Sequence, residues 1–212
     1  MKLTIHEWKQ LFQHIAQRIE EQKDELSELD RAVGDGDHGV TMSIGWQAIV
    51  EKMAGYTQED CGAMCKEIGM AFLNAVGSSV GPLYATAFIR GSVALQGKNE
   101  LADEDIVQFW LAAVQGIQDR GKAKVGDKTM MDAWLPAMEK LKEARKEGLD
   151  LIASLDAAVA AGEEGMKSTA DLISQLGRSS RLGERSSGHI DPGAKSACLI
   201  LSAFTERLKT FQ

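Results

Sequence analysis

Residues 5–19 read IHEWKQLFQHIAQRI, and their apolar positions Ile5, Trp8, Leu11/Phe12, Ile15 and Ile19 recur at three- and four-residue steps. That interval is the turn of an α-helix, and it gathers the apolar side chains into one stripe. The same spacing returns in Met42, Trp46, Ile49 and Met53, in Met64, Ile68, Phe72 and Ala75, and through PLYATAFIRGSVAL at 82–95. It continues in Ile106, Trp110, Ala113 and Ile117, in Met131, Trp134/Leu135, Met138 and Leu141, across 151–176, and in Ala197, Leu201, Phe204 and Leu208. Eight helices are predicted. No stretch alternates apolar and polar residues between hairpin signals, so the fold class is all-α.

The punctuation agrees. Gly81-Pro82 and Asp191-Pro192 put proline at a first helical position, while Gly97, Gly121, Gly148 and Gly177 fall at or just past helix ends. Pro136 lies inside the sixth helix and is expected to kink it. With 212 residues and no low-complexity block or internal repeat, residues 1–212 are expected to form a single domain.

Helices joined by short links run alternately up and down, so alternate links emerge at the same end. Three of them, AGYT, GKNELA and EGLD, are chemically plain. The other four are DRAVGDGDHG, GSSVG, GKAKVGD and GRSSRLGERSSGHID, and they hold nearly every unusual cluster of Gly, Asp, His and Arg. The expected fold is therefore an eight-helix antiparallel up-and-down bundle or barrel with one plain end and one chemical end.

A net charge of −7 argues against a generic nucleic-acid binder, whose affinity comes from clustered Lys and Arg. The opening MKLTIHEWKQLFQ mixes apolar and charged residues where a signal peptide needs an apolar run, and no later run is long enough for a membrane span. A cytoplasmic location is expected. Cys61, Cys65 and Cys198 cannot all pair internally and are read as reduced thiols.

At the chemical end, Asp30, Asp35 and Asp37 are close in sequence and offer only oxygen donors, which suits magnesium, calcium or manganese better than zinc. Solvated helix caps are the competing reading. An EF-hand is rejected, because Gly39 and Trp46 stand where that loop needs ligands. Magnesium completes its octahedron with phosphate oxygens, and GSSVGP and GKAKVGDKT each feed glycine-rich backbone into a helix start, where free N–H groups face anions. Neither is a Walker A loop. Arg178, Arg181 and Arg185 add guanidinium groups suited to phosphate. No nucleophile, base and orienter set is apparent, and phosphoryl transfer needs none. A nucleotide site fits.

LDRAVGDGDHG, GPLYATAFIR, RGKAKVGDKTMMDAW and LGERSSGHIDPGA, in this order and spanning nearly the whole chain, resemble the nucleotide-binding (L) subunit of bacterial dihydroxyacetone kinases of the phosphotransferase-system-dependent type. The resemblance implies an eight-helix barrel that binds ADP or ATP with two magnesium ions at one rim. It implies Asp30, Asp35 and Asp37 as metal ligands. It further implies that His38 and Thr41 approach the nucleotide, that backbone at Ser78, Ser79 and Val80 meets the phosphates, and that Gly121, Thr129 and Met130 close the pocket, with Arg178, Asp191, Pro192 and Gly193 completing it. Thr41 replaces an expected asparagine, and Ser78 and Val80 replace an expected glycine and small residue. No catalytic side chain is assigned. The sugar-binding histidine of this family belongs to a separate subunit or domain, so the chain is expected to be part of a kinase. The implied partners are a dihydroxyacetone-binding subunit and a phosphotransferase-system phosphoprotein that rephosphorylates bound ADP. A split kinase using exchangeable ATP is the alternative within the family. A nucleotide-sensing module bound to a transcription regulator is the alternative outside it, and a homodimer is a further expected assembly. Arg181, Arg185 and His189 are candidates for the docking rim.

Overall fold

The computed structural model describes residues 1–211. Nine α-helices follow one another among these residues: α1 (Ile5–Glu21), α2 (Lys23–Val33), α3 (His38–Ala54), α4 (Cys61–Ala75), α5 (Val80–Ala94), α6 (Asp103–Gly121), α7 (Met131–Lys146), α8 (Leu151–Ser168) and α9 (Pro192–Lys209). The count exceeds the eight read from periodicity because the first rod is interrupted at Gln22, which leaves helical geometry at φ −106° and ψ 12°. Both pieces flank α3 and α9, so α1 and α2 together occupy one place in the ring. Each later helix packs on the next and α9 closes against α1, giving a barrel of eight rods.

Three further departures are local. Lys2–Thr4 (β1) pairs antiparallel with Glu100–Ala102 (β2), placing Leu3 opposite Leu101, and both leucines are fully buried. The seventh apolar stretch, expected to 176, ends as α-helix at Ser168. It gives way to 3-10 turns at Thr169–Asp171 and Arg178–Ser186, with left-handed glycines at Gly177 and Gly183. At the start of α5, Val80 precedes Pro82, so that proline sits inside the first turn, where a missing N–H leaves no intrahelical bond unmade.

The barrel interior is aromatic. Trp8 meets Phe12 at 5.0 Å, Phe109 at 5.2 Å and Phe204 at 5.7 Å, each edge to face, so one indole joins α1, α6 and α9. Its Nε1 donates to Cys65 Sγ at 3.4 Å, which brings α4 into the same knot. Burying each such ring contributes roughly 1.5–3 kcal/mol relative to exposure. The three cysteines are free thiols; burial pushes Cys65 up to about 12, which keeps it protonated and inert. α7 is continuous across Pro136. A proline there donates nothing to Asp132 O, and against that carbonyl α8 sets Gly165, where a Cβ would stand 1.9 Å from the oxygen. No helix among the described residues is long and apolar enough to cross a membrane.

Candidate functional site

All four links of the chemical end meet around one cavity of about 500 Å³. The first contributes Asp30, Gly34 and His38, the second Ser79 and Val80, and the third Gly121, Lys128, Thr129 and Met130. The last contributes Gly177, Arg178, Asp191, Pro192 and Gly193. Leu83, Ile117 and Arg120 also line it, and the sequence does not mark them as site residues. Thr41 lies one turn along α3, its N–H donating to Asp37 O at 2.8 Å, and it is outside the lining. Ser78 is outside it as well, its hydroxyl buried and without a protein partner.

The acidic stretch folds into a cluster. Asp30, Asp35 and Asp37 each offer a carboxylate oxygen within 4.8 Å of the others. Asp30 is buried at 7% exposure, and its Oδ2 accepts the N–H of Asp37 at 3.0 Å and of His38 at 3.2 Å, so it fastens the end of α2 to the start of α3. Glycine is required on both sides of Asp35. A Cβ on Gly34 would stand 2.2 Å from Asp30 Oδ1, and Gly36 has a left-handed φ of 78°. Burial, and then the neighbouring Asp30, raise the pKa of Asp37. Arg178 reaches across from the last link, pairing with Asp35 and donating to Asp37 Oδ1 at 3.0 Å. An all-oxygen, partly exposed set at this spacing fits a hard divalent cation that keeps part of its shell for water or phosphate.

The opposite wall is braced by its own side chains. Asp132, fully buried in the first turn of α7, accepts the N–H of Gly126 at 2.6 Å and of Thr129 at 2.7 Å, which shapes the glycine-rich turn. Asp191 Oδ2 accepts the Ala194 N–H at 2.8 Å as the cap of α9, and burial pushes its carboxyl up to about 7. The His38 Nε2 lies 2.9 Å from Ser196 Oγ, and that hydroxyl also donates to Gly193 O at 3.0 Å, linking α3 to the Asp191-Pro192-Gly193 turn. Burial lowers the His38 pKa and nearby Asp30 opposes this, so the dominant effect favours the neutral ring. Arg181, Arg185 and His189 are exposed on the last link, outside the cavity lining.

Fold and rim together define a helical barrel with acids, glycines and two arginines, Arg120 and Arg178, gathered at one end. The DAK2 domain family model matches residues 32–206, and the chain belongs to that family. It is 39% identical over 176 residues to the ADP-binding subunit DhaL of the PEP-dependent dihydroxyacetone kinase of Escherichia coli, covering 83% of this chain and 84% of that one. It is 37% identical over 201 residues to the ADP-binding subunit DhaL of PEP-dependent dihydroxyacetone kinase 2 of Listeria innocua, covering 94% and 93%. Among solved structures, the native form of the dihydroxyacetone kinase of C. freundii is similar, with a TM-score of 0.72 and 25% identity, covering 93% of this chain and 34% of that one.

Proposed function

We propose that this chain is the nucleotide-binding subunit of a multi-subunit dihydroxyacetone kinase, a single nucleotide-binding domain acting in the cytoplasm. ADP is held in the rim cavity, receives a phosphoryl group from a phosphoprotein of the phosphoenolpyruvate-dependent system, and passes it to dihydroxyacetone on a separate subunit. The observation that carries this reading is the acid triad, its oxygens within 4.8 Å of one another: Asp30 lines the cavity that the four links build, while Asp35 and Asp37 lie outside its lining and are joined to it by Arg178. The relatives named as ADP-binding subunits support it.

Asp30, Asp35 and Asp37 would hold magnesium, two ions in this reading, which neutralises phosphate charge and orients the transferred group. Arg178 supplies a planar guanidinium at the same rim. Ser79, Val80, Thr129, Met130 and Gly193 present backbone and small side chains to the nucleotide, while Leu83 and Ile117 give apolar surface. His38, held to Ser196, orients rather than reacts. No side chain of this chain needs to form a covalent intermediate.

Mixing the purified chain with phosphoenolpyruvate, the general phosphotransferase proteins, the phosphoryl-donor and dihydroxyacetone-binding subunits and dihydroxyacetone tests the reading. Turnover without free ATP is expected. Turnover only after ATP is added identifies a split kinase with exchangeable nucleotide, and none under either condition leaves a nucleotide-sensing partner of a regulator. Near-stoichiometric ADP released on denaturing the purified chain is the expected companion result.

A further inference from the structure

The last link leaves the barrel after Thr169 and returns at Asp191 through a narrow neck. Gly188 donates its N–H to Ala170 O at 2.7 Å, and Asp191 donates to Thr169 Oγ1 at 2.9 Å. Between these stems, residues 171–187 make an excursion that carries Arg178 to Asp35 and Asp37. It is braced internally, since Ser186 Oγ accepts the Ser174 N–H at 2.9 Å. A separate chain segment then crosses the neck. The Lys128 ammonium, from the glycine-rich turn before α7, donates to both Thr169 O and His189 O, one carbonyl on each stem.

Lys128 is an improbable residue for that position by ordinary preference. It is only 1% exposed, so its charge is largely withdrawn from water, and its φ of 59° lies in the left-handed region that L side chains seldom adopt. Two unfavourable choices at one residue persist only where the surroundings over-determine them. Those surroundings are the two stem carbonyls and the carboxylates of Asp191, Asp132 and Asp171, whose attraction opposes the burial that lowers its pKa. A second tie runs parallel, from Gln175 N–H to Asp127 O at 3.1 Å.

We propose that Lys128 is a positioning residue that staples the neck of the 171–187 excursion to the wall between α6 and α7, and so sets Arg178 against the acid cluster. The inference rests on the reading of this rim as the nucleotide site, but its structural half is separable. Charge-assisted donation to two carbonyls is strong, and removing the ammonium takes that donor from His189 O and leaves Thr169 O with only the Leu172 N–H at 3.3 Å.

The test uses Lys128→Met and Lys128→Ala in the full chain. Hydrogen exchange at the Gly188 and Asp191 amides is expected to accelerate about tenfold or more, while α1 and α4 amides keep their rates. Magnesium-dependent ADP affinity is expected to fall about tenfold. Propylammonium, which replaces the atoms lost in Lys128→Ala, restores slow exchange and ADP affinity; propanol does not. Unchanged exchange at the neck overturns the proposal, and so does acceleration spread evenly over the barrel, which would mark a general loss of stability. If neither variant folds unaided, refolding of Lys128→Ala that needs propylammonium supports the staple, and refolding equally well with propanol overturns it. Accelerated neck exchange in a protein whose wild type binds no ADP keeps the staple and removes the nucleotide reading.

Discussion

The two ends of the barrel begin their helices differently. At the plain end three of the four helices, α1, α4 and α8, start with side chains that cap their own backbone, while α6 starts at Ala102, whose N–H donates to Asp105 at 2.9 Å. Thr4 forms a capping box with Glu7, Asp60 accepts from Ala63, and Asp150 accepts from Ala153. At the rim α3, α5 and α7 start at Asp37, Ser79 and Met130 without such a cap, and of the four only α9 has one, from Asp191. A side chain that caps its own helix spends its polar atoms on stability. The rim keeps the Asp37 carboxylate facing its neighbours and the Ser79 turn facing the cavity. One end is finished locally; the other is finished by long-range contacts such as Arg178 to Asp35 and Lys128 to Thr169.

The contrast can be broken most sharply at the acid cluster. Asp35→Ala and Asp37→Ala should each weaken magnesium-dependent ADP binding by about a hundredfold in calorimetry, with helicity by circular dichroism intact. Retained nucleotide in either variant would misassign the triad. Arg178→Ala should cost about tenfold in the same measurement, because one charged partner is lost while the cluster stays. At the other pole, Asp60→Ala removes both the cap on Ala63 and a bond from the Gly97 N–H at 3.1 Å. It should lower unfolding free energy by about 1–2 kcal/mol in urea titration and leave ADP affinity unchanged. A change in affinity there would deny that the ends are independent.

The smallest effect concerns pH. Burial holds Asp191 at about 7 against an ordinary 3.8, so the folded chain keeps this proton more tightly than the unfolded one. Its stabilising contribution is complete below about pH 4 and is lost as pH rises through 7. Asp191→Asn should flatten that part of the stability profile between about pH 4 and 7 while still capping Ala194. An unchanged slope would mean the carboxyl is ionised throughout.

Much of this was legible in the chain. The stripe from Ile5 to Ile19 becomes a buried face because helix period and burial are one fact, and link parity follows from short connections. The cavity then collects residues from all four expected links. The break at Gln22 was not legible, since Glu21, Gln22 and Lys23 carry no breaker and local propensity allows the helix to run on. The β1–β2 pair is only three residues long on each side, too short for alternation to register. Lys128 was hidden for a different reason. A lysine in GKAKVGDKT reads as solvated, and only tertiary structure supplies the carbonyls of Thr169 and His189 that bury it.

Ring closure by α1 and α9 also brings the outer ends of the first and last helices together at the plain pole, where Arg207 Nη2 donates to Gln10 Oε1 at 2.6 Å. A circular permutant is therefore expected to keep the same packing. Splicing the extremities through a short linker and opening the polypeptide at Gly148, which is exposed and left-handed with φ 87°, would leave every rim segment covalently continuous.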